Sequence, residues 1–198
     1  EGPQVQDEAA AGGDFVRDGS GASRSQSRTP SKPDARRAPS LHEQLKAKFP
    51  LPADLALSGA FATVGGSDKA PGKGRVIRYR VDVEKGLPLD GELFARLVHE
   101  TLNDPRGWGH DGSRTFERVS SGPADFVITL ASPGTTDVWC AKSGLDTSIQ
   151  HVSCDSASTE RVMINAYRWA QGSKTFGDDM LGYRQMLINH EVGHRLGY

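Results

Sequence analysis

The hydrophobic positions of this chain change period several times after residue 75. In "RVIRYRVDVE" (75–84) apolar and polar residues alternate with period two, which predicts a strand with one buried face. In "LDGELFARLVHETLND" that follows, Phe94, Leu97, Val98 and Leu102 recur at helical spacing and predict an amphipathic helix packed on that strand. Shorter strands are predicted at 114–119 and 125–131, within 147–153, and at 161–169. A loop, "AQGSKTFGDD", leads to a last helix opening at Asp178 and Asp179, whose carboxylates suit a helix N-terminus. At about 100° per residue, Leu181, Ile188, Val192 and Leu196 form one apolar stripe of that helix. Tyr183, Met186, Leu187, His190 and His194 form a second, so the helix is predicted to be sandwiched between layers. A strand, a helix, several strands and a helix, with no internal repeat, is an α+β order with a mixed sheet rather than a repeating βα unit.

Before residue 49 the pattern fails. Val5, Phe15, Val16, Leu41, Leu45 and Phe49 are the large apolar residues there, too few to offset chain entropy, so residues 1–48 are read as a disordered polar tether and 49–198 as the folded domain. Arg24, Arg28, Lys32, Arg36 and Arg37 face only Asp34 in "SRSQSRTPSKPDARRAPS", a basic run read as solvated chain rather than as an arm for an anionic surface. Ser40 and Glu43 have capping-box spacing and predict a short helix at 41–48, stopped by Pro50.

The 198 residues, 36% of them hydrophobic, provide for one domain. A formal net charge of -1 offers no global attraction to nucleic acid, and none is expected as a partner. No apolar run approaches the ~20 residues of a membrane span. The chain begins with Glu1 rather than Met, so an export signal or anchor is expected to have been removed or omitted, and membrane or cell-wall proximity would depend on such an anchor. Cys140 and Cys154 stand 14 positions apart. A disulfide, favoured here, would stabilise by roughly 3 kcal/mol in the chain-entropy model and fit an extracellular or cell-surface protein. Two separate thiols, or a metal site with His151, are the other readings.

Phosphate-loop chemistry is excluded in "GGSDKAPGKG", where Ser67 replaces the first glycine and Gly74 the hydroxyl, and no G-x-S-x-G nucleophile elbow occurs. The His42-Glu43 pair is a decoy, with Lys46 standing where a second histidine is needed. "HEVGHRLGY" (190–198) is different. Four residues turn a helix about 40° past one full turn, so His190 and His194 converge on one point, while Glu191 projects about 100° away, placed to act on water rather than as the obvious third ligand. Six histidines and nine glutamates give such a motif by chance in roughly 1% of chains of this composition, which weighs against a mere polar patch.

"HEVGHRLG" resembles the signature of the zincin metallopeptidases, and Gly197, three residues after His194, the metzincin branch, H-E-x-x-H-x-x-G-x-x-H. "YRQMLINHEVGHRLGY" also resembles an uncharacterised family of exported actinobacterial proteins. The resemblance implies a metzincin-like upper subdomain, a mixed twisted sheet with two main helices, and a peptide or protein substrate paired with an edge strand, here sought within 147–152. It implies Zn2+ held by His190 and His194, Glu191 as general base for peptide-bond hydrolysis, and Gly197 as the turn residue. The pattern's third histidine falls at position 200, beyond Tyr198. The expectation is therefore a site without its C-terminal subdomain, with weak zinc binding and little activity; His99, His110 and His151 are substitute ligands on paper. A cell-surface binding or scaffold domain that keeps the helix without catalysis is the alternative.

Overall fold

The alternating stretch is strand β2, Arg75–Glu84, and it organises the sheet in the computed structural model, which describes residues 37–198. Along Tyr79–Val83, β2 pairs in parallel with β4, Phe126–Ala131. Two strands lie end to end on its other edge: β3, Arg114–Arg118, in parallel, and β1, Phe61–Thr63, antiparallel. Strand β6, Arg161–Asn165, pairs in parallel with β4, and β5, Cys154–Asp155, pairs antiparallel with β6. The result is the expected α+β class with a mixed sheet, of six strands.

Alternation along the strands separates two faces. Ile77, Tyr79 and Val81, with Phe126, Ile128, Leu130, Val162 and Ile164, build the main core with α2 (Gly91–Leu102), α4 (Ala166–Gln171) and α5 (Met180–Arg195). Helix α2 begins where Asp90 accepts hydrogen bonds from the amides of Glu92 and Leu93, and it buries Phe94 edge-on against Trp169 at 4.8 Å. The opposite face carries a smaller cluster of Ala131, Cys140, Cys154 and Met163 under α3, Pro133–Ala141. The Cys140–Cys154 disulfide, Cα atoms 6.1 Å apart, ties the end of α3 to β5 and removes the reading of these thiols as metal ligands with His151.

Several expectations are corrected. Helix α1 spans Leu41–Gln44 rather than 41–48, although its capping box forms as the sequence predicts. It belongs to a folded unit that starts at Ala38, because Leu45 is fully buried and its carbonyl accepts from the fully buried guanidinium of Arg184 at 2.5 Å; the boundary at 48/49 lies inside that unit. The rest of the tether, residues 1–36, lies outside the described residues. The strand predicted at 161–169 ends at Asn165, whose side chain accepts from the Tyr167 amide and starts α4 instead. No strand forms within 147–153: residues 148–151 make a turn with His151 at φ 49°, and β5 begins at Cys154. Helix α3 went unpredicted, although Ser132 caps it and Pro133 occupies its first turn.

Candidate metal centre

Helix α5 starts at Asp179, whose carboxylate accepts from the Gly182 amide. It buries Tyr183, Arg184, Leu187, Ile188, Glu191 and Val192, and it leaves Met186, His190 and His194 exposed. The stripe that carries the two histidines is divided: Tyr183 and Leu187 pack into the core, whereas Met186, His190 and His194 face solvent, so the helix is covered on both sides only in its first half.

His190 Nε2 and His194 Nε2 lie 3.2 Å apart, and with a Glu191 carboxylate oxygen they form a group whose ligand atoms are all within 4.8 Å of one another. Two nitrogens at 2.0–2.1 Å from a tetrahedral zinc are about 3.3 Å apart, so the imidazoles already hold the separation that one ion requires. Without metal, a shared proton satisfies the same pair. The other nitrogen of His194, Nδ1, is 3.2 Å from the main-chain oxygen of Tyr198. A main-chain oxygen only accepts, so in the neutral ring Nδ1 carries the proton and the Nε2 lone pair points at the partner ring.

The helix end that presents His194 is closed by two glycines with different tasks. Gly197, at φ +91°, is the left-handed residue of a Schellman motif: its amide donates to the His194 carbonyl and the Tyr198 amide to the Gly193 carbonyl, each at 3.0 Å. Gly193 makes room for Trp108, whose ring would lie 2.5 Å from an added Cβ. Trp108 also donates from Nε1 to the Asn189 carbonyl at 2.9 Å and stacks on Tyr198 at 4.7 Å between centroids. The Tyr198 hydroxyl in turn accepts from Arg114 at 3.0 Å.

Glu191, 5% exposed, turns inward toward β5. Burial first, and the Asp155 carboxylate second, push its carboxyl up to about 8, while the backbone amide of Asp155 acts in the opposite direction. A cation at the histidine pair would draw that value down. Asp155 is itself raised, by burial above all, and is ion-paired with Arg195. The Arg195 guanidinium also donates to the carbonyls of Thr159, Ser156 and Arg161 at 2.8–3.2 Å, so the residue after His194 fastens the β5–β6 hairpin to the helix end.

The proposed substitutes stay elsewhere. His99 Nδ1 meets the Tyr79 hydroxyl at 3.0 Å, His110 donates to the Gly107 carbonyl, and His151 packs against Tyr167. Among the described residues, none of the three joins the His190–Glu191–His194 group. The roles of Asp155, Arg195, Trp108 and Tyr198 were missed from sequence. "GWGHDG" reads as a loop, and its meeting with the small residue of "EVGH" is a long-range contact that no local spacing announces.

Residues 51–198 match a family described as "Protein of unknown function (DUF3152)". The chain belongs to this family. The DUF3152 match takes in every strand of the sheet and the whole of α5, so the geometry above belongs to the family's own region of the chain. No curated protein and no solved structure matches the chain.

Proposed function

We propose that this DUF3152 domain is a zinc-dependent peptide hydrolase of zincin type, with His190 and His194 holding the metal and Glu191 serving as general base. The observation that carries the reading is the 3.2 Å between the two Nε2 atoms, a zinc-sized separation on an exposed helix face beside the buried Glu191 carboxylate. Zinc, when bound, supplies Lewis-acid polarisation of a scissile carbonyl and acidifies water at the site. The chain's own part is to hold the imidazoles and move a proton: Glu191 takes it from the attacking water and returns it to the leaving amine. Burial raises its carboxyl, and a cation held by the histidine pair would draw it back toward the range in which the carboxylate accepts a proton at neutral pH. The substrate class is peptide or protein.

The Cys140–Cys154 disulfide supports an exported, extracellular or cell-surface setting. Among the described residues no helix is long and apolar enough to cross a membrane.

A binding or scaffold domain that retains the helix is the second reading, favoured by one fact: among the described residues, no further histidine, cysteine or carboxylate joins the three-residue group. Zinc content and cleavage of a peptide library, compared between the wild type and Glu191→Ala, separate the two. The hydrolase reading predicts zinc in both proteins and cleavage in the wild type alone; zinc without cleavage in either supports the scaffold, and cleavage by Glu191→Ala overturns the role given to Glu191.

A further inference from the structure

We infer that Trp108 is a positioning residue for the metal centre, acting through Tyr198 on His194. This rests on the metal-site reading above and adds a residue from another part of the chain. Tyr198 carries the main-chain oxygen that fixes the proton of the neutral His194 ring on Nδ1, leaving Nε2 as the free donor atom toward His190. Within the helix end itself, that oxygen is held by the Schellman turn at Gly197, whose hydrogen bonds reach back to the carbonyls of His194 and Gly193.

The loop after α2 supplies the missing support. Trp108 lies against Gly193 at the distance of ring on bare backbone, stacks on the Tyr198 ring with an interplanar angle of 23°, and is itself held by its hydrogen bond to the Asn189 carbonyl. Arg114 closes the far side, 5.6 Å above the Tyr198 ring and bonded to its hydroxyl. The chain of contact runs from Trp108 to the Tyr198 ring, to the Tyr198 backbone, to His194 Nδ1, so that the loop sets which imidazole nitrogen faces the metal.

The test uses the 198-residue chain and has a metal-free arm and a metal arm. In 1H–15N spectra of the metal-free protein with its imidazoles neutral, wild-type His194 should hold its proton on Nδ1. Trp108→Leu and Tyr198→Ala should each lose that preference, and Trp108→Phe, which retains the stack, should keep it. In Co2+ titrations, Trp108→Leu and Tyr198→Ala should each weaken binding by about 10- to 100-fold and alter the visible cobalt spectrum. The double variant should be no worse than either single one, because both act on one main-chain oxygen. An unchanged His194 tautomer in Trp108→Leu, or losses that add in the double variant, overturns the proposal. If the wild type takes up no Co2+, the metal-site reading fails, and the tautomer spectra alone decide whether Trp108 positions His194. Tyr198→Ala alters only an exposed side chain, so it serves as the folded control should Trp108→Leu not fold.

Discussion

The two faces of the sheet are closed by different chemistry, although the same strand feeds both. Toward the helices, β2 presents Ile77, Tyr79 and Val81 to an apolar core. Toward α3 it presents Arg80, Asp82 and Glu84, yet Asp82 is 2% and Glu84 1% exposed. Asp82 accepts from Arg80, Arg161 and Thr63, and Glu84 accepts from the amides of Gly59 and Ser132 and from the Thr135 hydroxyl. Phe61 and Trp139 then cover the Arg161 guanidinium. Apolar burial is non-directional and grows with area, so the helical face should absorb small changes of shape. A buried ionic network holds only while every member keeps its partners, so the α3 face should fail sharply when one is removed.

The largest effect should therefore come from Asp82→Ala. It leaves the Arg161 guanidinium, 10% exposed, without the carboxylate it meets at 2.9 Å, and should cost about 3–5 kcal/mol in denaturant unfolding. A loss as small as that of a surface substitution would break the contrast between the faces.

The same residue sets an acid limb. Burial pushes the Asp82 carboxyl up, but hydrogen bonds from Arg80, Arg161 and Thr63 outweigh it, and the net shift is below the ordinary 3.8. A carboxyl lowered by folding contributes stability above its unfolded value and loses it as pH falls through the folded one. Wild-type stability should thus drop as pH falls below about 4, and Asp82→Asn should flatten that part of the curve in pH-dependent denaturation. Ile128→Val, fully buried on the helical face, should come next at about 1 kcal/mol, with little dependence on pH.

How legible these faces were follows from what period-two alternation can encode. β2 was placed to the residue from 75–84, and α2 and the start of α5 to within two residues, because apolar spacing and the helix-start carboxylate of Asp179 are local signals. Alternation also implied one buried face of β2, and that failed: Asp82 and Glu84 look solvated until Arg161 and Ser132, 79 and 48 positions away, are brought to them. Arg184 carries no local signal either: a charged residue in a helix, it is fully buried between Phe49 and Trp169 and bonds the Leu45 and Trp169 carbonyls. The site divides likewise. His190, Glu191, His194 and Gly197 could be placed by helical arithmetic, whereas Asp155, Arg195 and Trp108 enter through contacts of 34 to 90 positions.

The smallest effect on the metal-free fold, and the finest test of the contrast, is His190→Ala. The residue lies on the helix that closes the apolar core but is exposed and contributes no area to that core. Its loss should change metal-free stability by no more than about 0.5 kcal/mol. Linkage to zinc behaves oppositely: an ion that binds only the folded state stabilises it by about 2.7 kcal/mol at a concentration 100-fold above its Kd. Wild-type thermal unfolding should therefore move upward as zinc is added, and His190→Ala should begin near the wild-type midpoint and fail to follow it. A variant already unfolding well below the wild type without metal would place His190 among the residues that hold the helical face together, and the separation of core from site drawn here would be lost.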